Sequence, residues 1–186
     1  NRGQILFNIS YDCIKQQDEF ENIELDKSKC YEYAYKSITD LNFVIEKKEN
    51  SGALFTLARL HLYVLENEGE KAIGFYKKYI NNYYPNSWRS YRMIGEAYMD
   101  LNDSDKSIKY FDLAIEKLSL LKEYYQLFEY NSNLSNILVY KYYSFLSLKD
   151  YENAYKEIKE SYLLNSSKRQ YDVIEAAIFN NDFEFA

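Results

Sequence analysis

The sequence has few of the residues that bend or interrupt helices. Its 186 residues include 5 Gly and 1 Pro, whereas turn-rich folds depend on both residue types. This scarcity argues against a loop-rich or β-rich fold. The chain is long enough to bury most of its apolar surface when it folds as one domain or one array. We therefore expect an all-α protein.

Residues that could support catalysis or bind metal are also scarce. The single His, His61, lies on the apolar stripe of a predicted helix, where a packed His is far commoner than a catalytic base. Cys13 and Cys30 lie on predicted helices and are interpreted as small buried hydrophobes. Together these three residues do not complete a four-ligand zinc site, and no Gly-rich loop follows a strand. We expect no enzyme, no metal and no cofactor.

Long apolar runs and excess positive charge are both absent. The most apolar stretch, 134–148, is interrupted by Lys, Asn and Ser, so we predict no membrane span. The formal net charge of −6 and the pI of about 5.0 oppose a general nucleic-acid role. Two Cys without a pairing pattern suit a reducing compartment, which predicts a cytoplasmic location. The first residue is Asn1 rather than Met, which suggests a fragment or a processed product.

What the chain does contain is helical periodicity, clearest over 88–117. Apolar and small residues recur there every three or four positions on two successive stretches. Ser87 is positioned to cap the first helix, and Asn102 and Asp103 are turn formers between the two. The two stripes are Tyr91, Ile94, Gly95, Tyr98 and Leu101, then Ser107, Ile108, Phe111, Ala114 and Ile115.

These positions resemble the tetratricopeptide (TPR) pattern, W-x2-L-G-x2-Y followed by A-x3-F. A similar set occurs upstream at Leu54, Leu57, Ala58, His61, Ala72 and Tyr76, and another downstream at Leu138, Phe145, Ala154 and Ile158. In the downstream copy Lys141 and Tyr142 replace the Leu-Gly pair. The resemblance implies an α-solenoid of about three to four antiparallel helix pairs, wound as a right-handed superhelix.

The same patterns set the predicted boundaries. Residues 1–50 form a helical pair, either a cap, which we favour, or a degenerate first repeat. Repeats follow over about 51–86, 87–121 and 133–164, with Asn50 or Ser51 capping the first, and residues 165–186 supply a C-terminal capping helix. Apolar residues keep helical spacing from Ile108 to Phe128. This spacing predicts that the second helix of the repeat over 87–121 continues to about Tyr130; the alternative is a break near Ser119.

In TPR arrays the first helix of each pair lines the concave groove, so the resemblance implies where a partner binds. The implied set combines Arg with aromatic and apolar side chains, which suits a peptide with apolar anchors and a carboxylate. The alternative is that these are ordinary exposed helix residues. The partner-binding candidates are Phe55, Arg59, Leu62, Arg89, Arg92, Glu96, Met99, Asn136, Tyr140 and Tyr143.

We therefore expect a protein–protein interaction scaffold that binds a protein or peptide partner in the groove of a TPR-like array. One alternative is an accessory TPR module of a larger protein, such as a glycosyltransferase or a peptide-sensing regulator. Another is self-association through the Tyr-rich surface or the end helices.

Overall fold

The computed structural model describes residues 2–19, 27–48, 50–65 and 68–165, and within these ranges all regular structure is helical. A short 3-10 helix, Lys122–Tyr124, stands between the sixth and seventh α-helices. The α-helices are α1 Arg2–Glu19, α2 Lys27–Lys47, α3 Ser51–Tyr63, α4 Gly69–Asn82, α5 Trp88–Asp100, α6 Ser104–Ser119, α7 Leu127–Ser147 and α8 Tyr151–Leu164.

The chain divides into two compact units, and consecutive helices within each unit pack against one another. The first unit is Asn1–Pro85 and holds α1 to α4; the second is Asn86–Ala186 and holds α5 to α8. The connections 101–103 and 148–150 are short enough to reverse the chain, so α5 and α6, like α7 and α8, form hairpins. In the described ranges no helix is both long enough and apolar enough to cross a membrane.

Side-chain caps fix where several helices begin. The Asn50 side chain accepts a hydrogen bond from the Ala53 N–H at 2.9 Å, and Ser87 accepts one from Ser90 N–H at 3.4 Å. Both caps agree with the sequence prediction, because each oxygen satisfies an N–H group that the first turn leaves without an intrahelical partner. Asn102 has φ 57°, a left-handed conformation that Asn tolerates well, and it closes the turn before α6.

Each unit has its own apolar core. In the first unit Phe7 of α1, Ala34 and Leu41 of α2, and Leu57 and Leu60 of α3 are buried together. The second unit buries two clusters. One is built around Trp88, Phe111, Ala114, Leu118, Tyr130 and Ile137, and the other around Tyr142, Ala154 and Ile158.

Small residues occupy the close contacts of the second unit, as their place in the repeat pattern suggests. A Cβ on Gly95 of α5 would lie 2.6 Å from Cε1 of Phe111, so this position needs glycine. The Ser107 and Ser144 hydroxyls are hydrogen-bonded at 2.9 Å between α6 and α7. Ser107 therefore keeps a small volume at this contact and adds a buried hydrogen bond.

The prediction that the helix beginning near Ser104 continues to Tyr130 is wrong. It ends at Ser119, and α7 begins at Leu127 rather than near 134. Hydrogen bonds from Leu121 N–H to Leu118 O and from Tyr124 N–H to Leu121 O, each 3.0 Å, tighten the chain into 3-10 geometry. Leu121 and Tyr125 still pack on the core, and the Trp88 indole donates to the Tyr125 hydroxyl at 3.3 Å. Tertiary contacts therefore offset the helical bonds lost at the break.

The interpretation of the two cysteines as unpaired buried residues is also wrong. Cys13 of α1 and Cys30 of α2 form a disulfide, with Cα atoms 5.7 Å apart and a sequence separation of 17. Their positions on two packed helices bring them within bonding distance. The covalent link therefore fastens α1 to α2 in the first unit.

Some predictions at the chain ends fall partly or wholly outside the described residues. Within the helical pair predicted for 1–50, α1 extends to Glu19, and residues 20–26 lie outside the described ranges. The C-terminal capping helix predicted for 165–186, centred on 168–179, lies almost entirely outside them.

Candidate functional site

The second unit brings together predicted site residues from two helices. Arg92 of α5 forms an ion pair with Glu96, one helical turn further on, with Nη1 2.7 Å from Oε1. The Arg92 guanidinium also lies over the Tyr140 ring of α7, 5.5 Å from its centroid. Glu96 is buried. Arg92 is therefore held on both sides by its own chain rather than extended into solvent.

Exposed residues flank this Arg92–Tyr140 contact. Arg89 is exposed beside the Trp88 ring, and on α7 Asn136 is exposed and Tyr143 is 45% exposed. Helical spacing places Asn136, Tyr140 and Tyr143 on one face of α7. We call the patch the α5–α7 surface. It consists of Arg89, Arg92, Met99, Asn136, Tyr140 and Tyr143, of which Met99 packs partly into the core. Glu96 was also predicted to face a partner, but it is buried and paired with Arg92, so it does not lie on this surface.

The three predicted site residues of the first unit have different surroundings. Leu62 is buried, so the expectation that it faces a partner is wrong; its side chain belongs to the interior of the helix packing. Phe55 packs against the rings of Tyr76 and Tyr79 of α4. Arg59 stacks on Phe7 of α1, with its guanidinium 4.7 Å from the ring centroid. Among the described residues no carboxylate pairs with Arg59.

The first unit also contains a cleft that the sequence analysis did not predict. Its volume is about 530 Å³, within the range of small-molecule sites. The second helix supplies one wall, α4 supplies the other, and α3 contributes the single histidine. We call it the α2–α4 cleft; its lining is Tyr35, Ile38, Asn42, His61, Glu68, Lys71, Gly74, Phe75 and Lys78. None of the predicted site residues belongs to this lining.

A hydrogen-bonded network lies at the side of this cleft. His61 Nδ1 is bonded to Glu68 Oε2, and Lys71 Nζ donates to Glu68 Oε1 at 2.5 Å. The His61 ring stacks on Phe75, with centroids 5.4 Å apart and planes 13° from parallel. Glu68 thus binds both a histidine and a lysine, and Phe75 fixes the plane of the imidazole.

The network shifts two protonation equilibria. Burial lowers the pKa of His61 below its ordinary 6.5, and the hydrogen bond to Glu68 opposes this only in part. Burial acts to raise the pKa of Glu68, but hydrogen bonds from Lys71 and His61 outweigh it and lower the pKa below 4.5. At neutral pH the histidine is therefore neutral. Its Nδ1–H donates to an ionised carboxylate, which leaves Nε2 as an acceptor.

Sequence reasoning found His61 but not its surroundings. Its burial agrees with the prediction of a packed histidine. Glu68 lies beyond the end of α3, at the start of α4, so helical periodicity does not relate the two residues. The cleft walls include exposed residues such as Tyr35 and Lys78, which carry no pattern that separates them from other surface positions.

A buried lysine of α7 connects this helix to two others in the second unit. Lys141 of α7 bonds to Glu157 of α8 at 2.8 Å and to Asp112 of α6 at 2.9 Å. Burial acts to lower the pKa of Lys141, but hydrogen bonds to both carboxylates outweigh it and raise the pKa. Lys141 therefore joins three helices, which is a structural role.

Within the described ranges no group of three His, Cys, Asp or Glu side chains is placed to hold a metal ion. Neither the models of known protein families nor the curated proteins include a match to this sequence. The assignment of function therefore depends on the chemistry of the two surfaces described above.

Proposed function

We propose that this chain is an interaction scaffold of the TPR-like kind, which binds a protein or peptide partner on the α5–α7 surface. The observation that carries the proposal is the Arg92 contact with Tyr140, since it joins the first helices of two successive helix pairs into one patch. Exposed Arg89, Asn136 and Tyr143 extend that patch on both sides. The proposal assigns no reaction to the chain.

The patch has the chemistry of a peptide-binding surface. Tyr and Arg are enriched at interface hot spots, because Tyr offers a rigid ring with a polar tip and Arg can form paired hydrogen bonds to a carboxylate. Arg92 is already paired with Glu96, so its main effect is to hold Tyr140 and to shape the surface. The exposed Arg89 is the better candidate to contact an acidic group of the partner.

The experiment is affinity capture from lysate of the source organism, with wild type and Arg89→Glu/Tyr143→Ala used in parallel. Both positions are exposed, so the variant changes the surface without disturbing the Arg92–Glu96 pair. Lys109→Glu/Tyr151→Ala is the matched control, with the same charge change and the same loss of a ring at exposed positions elsewhere in the second unit.

We expect a partner that wild type and control retain and that the α5–α7 variant loses. The partner's affinity should fall at least tenfold, since one hot-spot side chain contributes 2 kcal/mol or more. Equal retention by all three proteins would show that this surface is not the binding surface. Circular dichroism and urea unfolding of each variant would confirm that the fold is intact.

A second candidate function is self-association, which one specific feature favours. The connection between α6 and α7, together with the first turn of α7, exposes four large apolar side chains, and Phe128 is 76% exposed. Exposed apolar patches on folded proteins commonly mark association sites. The four residues are Leu120, Tyr124, Leu127 and Phe128. Light scattering of wild type should then show a dimer that Leu127→Ser/Phe128→Ser abolishes; a monomeric wild type would exclude this function.

The disulfide bears on the compartment in which the protein acts. Structural disulfides persist in oxidising compartments and are rare in the cytoplasm, so the Cys13–Cys30 bond favours an oxidising compartment over the predicted cytoplasmic location. Alkylation of free thiols in lysate, followed by mass spectrometry, would decide. Two alkylated cysteines would support the cytoplasmic prediction, and none would support an oxidising compartment.

A further inference from the structure

We propose that the α2–α4 cleft of the first unit is a binding site for a small aromatic carboxylic acid. This site is separate from the α5–α7 surface and does not depend on the function proposed for that surface. Three properties of the cleft support it: its charge, its apolar lining and its size.

The charge of the cleft is positive although the protein as a whole is acidic. Lys71 and Lys78 contribute two ammonium groups and Glu68 one carboxylate, while His61 is neutral, which leaves a net charge of +1. Glu68 is already bonded to His61 and Lys71. In the described part of the chain no carboxylate pairs with Lys78, whose ammonium lies 5.9 Å from the centroid of the Phe75 ring. An anionic group on a ligand would complement this charge.

The other residues that line the cleft suit the flat apolar ring of a ligand. Phe75 and Tyr35 contribute rings and Ile38 contributes an aliphatic side chain, while the Asn42 amide adds both a donor and an acceptor. His61 covers one face of Phe75 and is itself held in plane by Glu68, so this wall is preorganised. A rigid wall lowers the entropic cost of binding a ring.

The size of the cleft also suits a small ligand. A volume of about 530 Å³ holds a single-ring acid with room for solvent. Gly74 of α4 lines the cleft, and a Cβ built on it meets no atom within 4 Å. A larger side chain at this position would therefore enter the cleft without a clash with the protein.

The chain contains one histidine, so its imidazole proton resonances can be assigned directly and report on the cleft. The experiment is an NMR titration of the full chain at pH 7.5 with phenylacetate. Phenylacetamide, which has the same ring without the charge, and acetate, which has the charge without the ring, are the matched ligands. We expect a saturable shift of the His61 resonances with phenylacetate and an affinity at least tenfold lower for the other two.

Three variants test the location. Lys78→Met should weaken phenylacetate binding about tenfold, as expected for the loss of one charge-assisted hydrogen bond, and Gly74→Leu should abolish it by filling the cleft. Lys109→Met, an exposed lysine of the second unit, should bind as wild type does. The absence of a saturable shift in wild type, equal binding of phenylacetamide, or unchanged binding by Gly74→Leu would each overturn the proposal.

Discussion

At position 95 the volume of one side chain decides whether two helices can pack. Because a Cβ there would lie 2.6 Å from Phe111, whose ring is fully buried, Gly95→Ala forces the ring to move. Overpacking of this kind costs about 1–3 kcal/mol, which exceeds the gain of about 1 kcal/mol in helix propensity. We expect urea unfolding to show a net loss of stability for Gly95→Ala.

Gly74→Ala is the matched control, because that glycine is exposed in the middle of α4 and a Cβ there has open space. It should gain about 0.5–1 kcal/mol from helix propensity alone. If Gly95→Ala also gained stability, the close contact between α5 and Phe111 would be contradicted.

His61 should make stability depend on pH between about 8 and 5.5. Its pKa is lowered in the folded state by burial, so between the folded value and the ordinary 6.5 the unfolded chain binds the extra proton. The stabilising effect is therefore present above pH 6.5 and is lost as the pH falls. Glu68, whose pKa is also lowered, adds a loss of the same sign below pH 4.5.

Two measurements check this dependence. NMR titration of the single histidine should give a pKa below 6.5, and the urea midpoint should decrease as the pH falls from 8 to 5.5. His61→Phe keeps a ring to stack on Phe75 and should flatten the curve in that range. A histidine pKa at or above 6.5 would contradict the burial that we assign to it.

At the scale of the helix, the Lys141 network tests how α7 holds its neighbours. Lys141→Met leaves the Glu157 carboxylate buried without its partner, which should cost about 3 kcal/mol. Lys141→Met/Glu157→Leu removes both charges and should recover most of that loss, since Asp112 remains solvated. Urea unfolding of both variants gives the comparison. Similar losses in the two would show that Glu157 does not depend on Lys141.

The helices themselves were largely predictable because their signals are local. The Asn50 and Ser87 caps and the turn at Asn102 depend on side chains within three residues of the helix end. The break after Ser119 was not predictable from periodicity, since Leu121 and Tyr125 remain in phase with the preceding stripe. These residues pack on the core around Trp88, and Trp88 donates to Tyr125, a contact between positions distant in sequence that local periodicity does not report.

The sites were predicted less completely than the helices, because each site depends on how several helices pack. The repeat pattern placed Arg92 and Tyr140 on the first helices of successive pairs, and these two residues do meet. The pattern could not show that Glu96 would be buried as the partner of Arg92, or that Arg59 would stack on α1. The α2–α4 cleft is formed by three helices, and its polar residues become a set only when those helices pack.

The Cys13–Cys30 disulfide adds a covalent link to the helix packing of the first unit. It closes a loop of 17 residues between α1 and α2, and a loop of this length is typically stabilised by about 3 kcal/mol. Reduction of wild type, or Cys13→Ser/Cys30→Ser, should lower the urea midpoint and speed hydrogen exchange in α1 and α2. The double variant also serves as the control for reduction. It lacks both cysteines of the bond, so a reductant should leave its stability unchanged. If the reductant lowers the stability of the variant, or leaves that of wild type unaltered, the bond does not stabilise this unit.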